Sequence, residues 1–278
     1  MSNEFFGDTK WHSSSSLFID QSMLHDMVKE STNRVASVFA VATMWHENSD
    51  EMLSILESIF RMDKDQSLRR SDRYHNTNKV MELHFYCCLY ISVVSSREYI
   101  QCVCCIYQQI IDPHFYHYET HIFFDDAFEL SHSRKDGTTS GLVVNRFVNQ
   151  WIQLMDCKLL TNTNDNQPGP RQAPSISVTP YGGRLEWTLP GSTKMTVHLK
   201  DKNKIRNKKR WSQVMYIDYL MRYEIGNHFD LENTYLLTLD GDMDFRPKAV
   251  HILVDMMNCQ PDVAIACNRS HPTGSPGK

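Results

Sequence analysis

The sequence lacks several features that would assign it at once to a class of protein. Its longest apolar stretches, residues 84–96 and 99–111, are separated by Arg97 and Glu98. Neither stretch reaches the roughly 20 apolar residues of a membrane-spanning helix. The first ten residues have no basic segment and no apolar run, so we expect no signal peptide. The net charge of -4 gives no overall basic character, and we therefore expect no nucleic-acid partner.

Evenly spaced cysteines are also missing. Five of the eight cysteines crowd into residues 87–105, which is unlike a disulfide framework and favours a reducing compartment. One spacing is close to that of a zinc finger, because Cys102 and Cys105 are followed by His117 and His121. No helix is evident between the two pairs. A zinc site and buried free thiols are the two interpretations of this pattern.

Apolar runs alternate with helical patterns along most of the chain. Buried strands are predicted for residues 35–44, 121–129, 234–240 and 263–267, with two more strands around a turn within 181–200. Helices are predicted for 49–60, 141–156, 211–221 and 246–259, and loops for 62–79 and 161–174. This alternation predicts an α/β fold with a mainly parallel sheet flanked by helices.

Polar side chains follow three of the predicted strands. They are the segment from Thr43 to Glu47, the pair Asp125 and Asp126, and the pair Asp240 and Asp242. Ligands of such sheets bind at the carboxyl ends of the strands, so we expect these residues to form one crevice. Residues at i and i+2 of an extended chain point to the same side, and Asp240 and Asp242 could share one hard cation. Mg²⁺ or Mn²⁺ suits a pair of carboxylates that is completed by water and phosphate oxygens.

Each of these patterns has a structural alternative. Asp240 and Asp242 could form a turn after the strand, and an EF-hand is excluded because its sixth and twelfth positions would be Phe245 and His251. The pair at 125–126 could be a solvated strand end or could accept hydrogen bonds from a nucleobase or ribose. Seven Lys or Arg residues within 200–210 could be a solvated face or the counterpart of a diphosphate, for which Lys200 is best placed.

An ordered set of segments resembles animal-type chitin synthases. The segments are "SLFIDQSM", "VATMWHE", "HIFFDDAFE", "PYGGRLEWTLPG", "HLKDKNKIRNKKRWSQVMY", "NTYLLTLDGDMDF" and "CNRSHPTGS". The resemblance covers nearly the whole chain apart from residues 72–110. It implies a processive, inverting glycosyltransferase of the GT-A (Rossmann-like) fold. Such an enzyme transfers N-acetylglucosamine from UDP-N-acetylglucosamine to the 4-hydroxyl of a growing β-1,4-linked chitin chain.

The resemblance also implies roles for individual residues. Thr43, Trp45 and Glu47 match the motif at the uridine site, and Asp125 and Asp126 match the acidic pair that holds uracil or ribose.

The remaining implied roles concern the diphosphate. Lys200 or Lys202 matches the lysine region near the diphosphate. Asp240 and Asp242 match the motif that binds the diphosphate and a divalent cation, Mg²⁺ or Mn²⁺.

Two departures from the family pattern shape the expected domain organisation. The family continues with a general base, a Gln-x-x-Arg-Trp motif and membrane helices, so we expect a truncated donor half that has no membrane anchor of its own and does not polymerise chitin alone. The full-length family lies in the plasma membrane with this domain facing the cytosol. Residues 71–109 read as an atypical insertion in a partial domain over 35–278, which follows a polar segment over 1–34.

Two alternatives to a chitin synthase fragment are kept at this point. One is the synthase of another polysaccharide, such as hyaluronan or cellulose, and the other is a catalytically inactive interaction fragment. The expected partners are the UDP-N-acetylglucosamine donor and, in the full-length enzyme, a chitin oligomer as acceptor. Whether the chain forms a homo-oligomer is left open.

Overall fold

A computed structural model of the protein describes residues 35–90, 114–130, 141–161, 173–225, 231–260 and 262–267. The strands are β1 Ser37–Met44, β2 His117–Phe124, β3 Phe128–Leu130, β4 Leu142–Val144, β5 Ser175–Thr179, β6 Gly182–Thr188, β7 Lys194–Lys200 and β8 Thr234–Asp240. The α-helices are α1 Ser49–Tyr90, α2 Arg146–Thr161, α3 Lys209–Tyr219 and α4 Pro247–Cys259. A π-helical turn, Leu220–Ile225, continues α3, and a 3₁₀ turn, Leu231–Asn233, precedes β8.

Six strands form one sheet in the order β5-β6-β7-β2-β1-β8. The four strands β7, β2, β1 and β8 are parallel, while β5 and β6 extend the sheet in antiparallel fashion. Across the sheet, the parallel strands therefore lie in the order third, second, first, fourth, where the numbers give their order along the chain. This is the order of a Rossmann-like sheet, in which the direction of winding reverses between the first and fourth strands. The predicted α/β class with a mostly parallel sheet is confirmed.

Helices cover both faces of the sheet, and β1 shows the two faces most clearly. Val38, Ala40, Ala42 and Met44 belong to the large core, which α1, α2 and α4 also build, while the alternate residues Phe39 and Val41 belong to a smaller core under α3 and the π-helical turn. All eight residues of β1 are buried. A strand that is buried on both faces reads as a continuous apolar run, which is why it could be predicted from the sequence.

The predicted loop over 62–79 is wrong, because α1 continues unbroken to Tyr90. A capping box fixes its start: Asn48 Oδ1 accepts the backbone N–H of Glu51, and the Glu51 carboxylate accepts the backbone N–H of Asn48. The charged residues after position 61 look like a loop by polarity, yet α1 contains no Pro or Gly that would end a helix. An i,i+4 pair, Arg69 with Asp65 at 2.8 Å, adds local support.

Three further predictions differ from the structure. Residues 263–267 do not form a strand in the described part of the chain, where β8 is the edge of the sheet. The helix predicted for 141–156 runs instead from Arg146 to Thr161, because Asn145 Oδ1 caps it by accepting the N–H of Val148. The spacing within 211–221 predicts a helix face built on Trp211, Val214, Met215 and Met221, but three of these residues (Trp211, Val214 and Met221) are exposed, and the buried side of α3 is built on Tyr216 and Tyr219. Among the described residues, no helix has the length and apolarity needed to cross a membrane.

A buried carboxylate ties α1 to the turn between β6 and β7. Asp63 is 2% exposed and accepts hydrogen bonds from the backbone N–H groups of Gly191 (2.7 Å) and Thr193 (3.1 Å) and from the Thr193 hydroxyl (2.6 Å). A Cβ on residue 191 would lie 2.4 Å from the Asp63 carbonyl oxygen, so this contact requires glycine. The turn therefore packs directly on the helix.

We expect Asp63→Ala to lower the free energy of unfolding by about 3 kcal/mol, because three buried donors lose their acceptor. Glu57→Ala is the matched control on the same helix. Its carboxylate forms a half-exposed ion pair with Lys158, so its loss should cost under about 1 kcal/mol. Urea unfolding followed by circular dichroism measures both values. Equal losses for the two variants would contradict this account of the turn.

Candidate functional site

A crevice of about 770 Å³ opens at the carboxyl ends of β1 and β8, where the winding of the sheet reverses. Six of the residues predicted for the site lie in its lining: Thr43, Trp45, Glu47, Asp125, Asp240 and Asp242. The structure therefore brings the ends of three predicted strands together. Asp126, Lys200 and Lys202 are not among the residues that line this crevice.

Gly241 allows the ends of β1 and β8 to approach closely. A Cβ at this position would lie 2.9 Å from the carbonyl oxygen of Thr43 and 3.0 Å from Oε1 of Glu47. The first distance, to a backbone atom, is too short for a side-chain carbon. The glycine between Asp240 and Asp242 is therefore what brings these two acids beside the residues that follow β1.

Glu47 adds a third carboxylate to the crevice. Its Oε2 accepts the backbone N–H of Trp45 at 2.5 Å. Burial raises the pKa of Glu47, and the nearby charges of Glu51 and Asp242 raise it further, while its backbone hydrogen bonds oppose the shift. Negative charge is thus crowded at this end of the sheet, which is the environment in which a bound cation is favoured.

The three alternate acids after β8 have different surroundings. Asp240 is 56% exposed and forms an ion pair with Lys209, and Asp242 is also exposed in the crevice. Asp244 instead accepts a hydrogen bond from the Ser58 hydroxyl at 3.0 Å and pairs with Arg61 of α1. Two of the acids are therefore available to a ligand, and the third fastens the segment after β8 to the helix.

Asp125 is held on both of its carboxylate oxygens. Oδ1 accepts hydrogen bonds from Lys200 Nζ at 2.5 Å and from the Ser212 hydroxyl at 2.8 Å, and Oδ2 accepts the backbone N–H of Lys208. Lys200 is fully buried in this arrangement. Its charge neutralises Asp125 and does not reach the crevice. The segment that follows β7 is thereby fixed over the end of β2.

Asp126 and Lys202 form a separate ion pair at 3.2 Å. The Lys202 side chain is half-exposed, and the backbone carbonyl of Asp126 accepts a hydrogen bond from the Asn145 side chain at 2.6 Å. Asp126 thus contacts the residue that caps α2. The assignment of Asp126 and Lys202 to nucleotide binding stays a prediction.

Lys208 and Lys209 supply the positive charge of the crevice, and the sequence did not single them out. The run of seven basic residues was the signal, but spacing alone could not tell which of its lysines face the ligand side. Lys208 has a φ of 105°, a backbone conformation that side chains rarely adopt. The contact of its N–H with Asp125 maintains this strain, as is common beside functional sites.

Aromatic rings form a stack at the crevice. Trp45 stacks on His46 with ring centroids 4.3 Å apart, and His46 stacks in the same way on Phe147. Arg146 lies over Phe147, 4.6 Å from its ring centre. Trp45 is 57% exposed, so a large flat apolar surface remains open to a planar ligand.

Three curated proteins have sequences similar to this chain. The chain is 36% identical over 272 residues to chitin synthase chs-2 of Caenorhabditis elegans. The aligned region covers 94% of this chain and 14% of that protein. It is 36% identical to a chitin synthase of Meloidogyne artiellia over 253 residues and 35% identical to chitin synthase chs-1 of C. elegans over 254 residues. The chain belongs to the chitin synthase family. It spans between 11 and 16% of the length of these relatives.

Two other comparisons returned no match. No protein-family model matches the chain. No solved structure matches it either.

The two lysines predicted near the diphosphate differ sharply in burial, and we expect their replacement to separate them. Lys200→Met should lower the free energy of unfolding by about 3–5 kcal/mol, because it leaves Asp125 charged and buried without its cation. Lys202→Met is the matched control and should cost under about 1 kcal/mol, because the Lys202 side chain is half-exposed in its ion pair with Asp126. Denaturant unfolding measures both. A Lys200 variant as stable as the Lys202 variant would contradict the structural role of Lys200.

Proposed function

We propose that this chain forms the sugar-nucleotide donor site of a chitin synthase. In the full-length enzyme it would bind UDP-N-acetylglucosamine, and N-acetylglucosamine would be transferred to a growing β-1,4-linked chitin chain. The observation that carries this proposal is the crevice between β1 and β8, which combines carboxylates, two lysines and an exposed tryptophan. The similarity to three chitin synthases over about nine tenths of the chain supports the choice of substrate.

A divalent cation, Mg²⁺ or Mn²⁺, would bind at Asp240 and Asp242. These carboxylates supply the oxygen ligands that such ions prefer. Both side chains are exposed in the crevice. Glu47 and Glu51 line the same crevice and add further carboxylates beside these two ligands. When bound, the ion would neutralise charge on the diphosphate as UDP leaves.

Lys209 and Lys208 would hold the diphosphate beside that cation. The ion pair between Lys209 and Asp240 is more than half-exposed on both sides, so it contributes little to stability and can be exchanged. A diphosphate would take over the ammonium group of Lys209 and leave Asp240 free to bind the cation. Lys200 would act indirectly. It binds Asp125, and Asp125 in turn accepts the backbone N–H of Lys208 and so positions that lysine.

The uracil base would stack on Trp45. A ring that lies on His46 on one side and is largely exposed can accept a planar base. Glu47 accepts the backbone N–H of Trp45, so it positions the segment that carries the ring. Thr43 contributes the end of β1, and its carbonyl oxygen lies against Gly241.

Chain growth needs a general base that takes the proton of the acceptor 4-hydroxyl. We assign no residue of this chain to that role. The chitin oligomer is proposed as the acceptor of the full-length enzyme. The resemblance also supports a location of that enzyme in the plasma membrane, with this domain facing the cytosol.

We expect Mn²⁺-dependent UDP binding to be lost in Asp242→Asn, because the substitution removes a charged ligand of the cation. Asp244→Asn is the matched control, since this acid contacts Ser58 and Arg61 and lies outside the crevice lining. Isothermal titration of UDP into the purified chain, with Mn²⁺ and then with EDTA, measures the difference. Absence of UDP binding by folded wild-type chain would overturn the proposed donor site.

Trp45→Ala should weaken UDP binding by about 5- to 150-fold, since stacking of a base on an aromatic ring contributes about 1–3 kcal/mol. Trp211→Ala is the control, because Trp211 is 39% exposed but does not line the crevice. Quenching of tryptophan fluorescence by UDP should also disappear in the Trp45 variant and persist in the Trp211 variant. Equal affinity of the two variants would place the base elsewhere.

A further inference from the structure

A second polar cluster lies on the face of the sheet that α3 covers, away from the crevice. It consists of Glu119 and His121 of β2 and Glu224 of the π-helical turn. Their ligand atoms, one from each side chain, all lie within 4.8 Å of one another. His121 is fully buried and Glu119 and Glu224 are partly buried. Carboxylate and imidazole groups at such separation, at the edge of an apolar core, need a positive partner.

An orphaned nitrogen points to that partner. His121 Nε2 is buried and has no hydrogen-bond partner, and Oε2 of Glu119 is also buried without one. The two atoms are 3.7 Å apart, which is too long for a hydrogen bond. Two ligands at 2.0–2.1 Å from a tetrahedral metal ion are about 3.4 Å apart, so this separation is close to what a shared ion requires.

The other ring nitrogen of His121 is held by a chain of hydrogen bonds. Nδ1 of His121 lies 3.2 Å from Nε2 of His198, and Nδ1 of His198 lies 2.7 Å from the Tyr181 hydroxyl. If each imidazole donates from Nδ1, His121 keeps a free lone pair on Nε2. Metal-binding histidines are oriented in this way by a second hydrogen-bonded group.

The charges around the cluster leave a negative excess. Glu186 lies 3.4 Å from Arg184 and 3.6 Å from Lys194, and Lys194 is also 3.7 Å from Glu224. Three carboxylates, those of Glu119, Glu186 and Glu224, therefore face two permanent cations. The side chains of Glu119 and Glu224 are 22% and 15% exposed, so the cluster lies near the protein surface although His121 is fully buried.

We propose that Glu119, His121 and Glu224 bind a divalent transition-metal ion of the Zn²⁺ type, which braces the π-helical turn against β2. One imidazole with two carboxylates suits Zn²⁺ better than Mg²⁺ or Ca²⁺, which prefer oxygen ligands alone. This site is independent of the proposed cation at Asp240 and Asp242. It also differs from the spacing pattern that joins His121 to Cys102 and Cys105, two residues that lie outside the described part of the chain.

The test is zinc binding by the purified full chain after chelator treatment and dialysis against Zn²⁺. We expect one retained zinc per chain by elemental analysis, and a higher melting temperature with Zn²⁺ than with EDTA. Glu224→Gln should weaken zinc binding at least about 10-fold, since even indirect changes at metal sites have effects of this size. It retains an acceptor for the Tyr219 hydroxyl, so the turn should still fold. Glu186→Gln, a neighbouring acid outside the cluster, and Asp242→Asn should both keep the zinc.

X-ray absorption then identifies the ligands. Nitrogen and oxygen neighbours at about 2.0–2.1 Å, with no sulfur, are the expected result. A sulfur neighbour would move the zinc to cysteines and overturn the proposal. So would equal zinc retention by wild type and Glu224→Gln. A folded wild-type chain that retains no zinc and melts at the same temperature with Zn²⁺ and EDTA would also overturn the proposal.

Discussion

The buried ion pair between Asp125 and Lys200 is the contact on which the crevice depends. It joins the end of β2 to the end of β7, and the same carboxylate binds Ser212 in the first turn of α3 and the backbone of Lys208. A buried charge needs its partner, so none of these segments can move without leaving a charge unpaired. Lys208 and Lys209 face the crevice, and the segment that carries them is held in place by the buried Lys200.

The order of the parallel strands puts the acidic and basic parts of the crevice next to each other. β1 and β8 are adjacent in the sheet although about 190 residues separate them in the chain, and the winding reverses between them. Gly241 then lets Asp240 and Asp242 lie against the residues that follow β1. The fold thus gathers a tryptophan, carboxylates and lysines at one edge, which is what a charged sugar nucleotide with a cation requires.

The two faces of the sheet carry different chemistry, and β2 contributes to both sites. Its last residues lead to Asp125 at the crevice, while Glu119 and His121, two residues apart, face α3 with the buried ring of Phe123. A brace at Glu119 and His121 would steady the same strand that delivers Asp125. The two sites can still be tested separately, because no residue belongs to both.

Sequence alone determined the class of fold, because strands such as β1 and β8 are apolar runs with helical patterns between them. It also identified the acids that follow the strands, since the end of a strand and a change of charge are local features. The resemblance of the sequence to chitin synthases agrees with the three relatives. Only the tertiary structure decided which lysine is buried and which faces the crevice, because that depends on the contact between Asp125 and Ser212, 87 residues apart. The cluster of Glu119, His121 and Glu224 was equally beyond a local pattern, because Glu224 meets β2 only after the chain has folded.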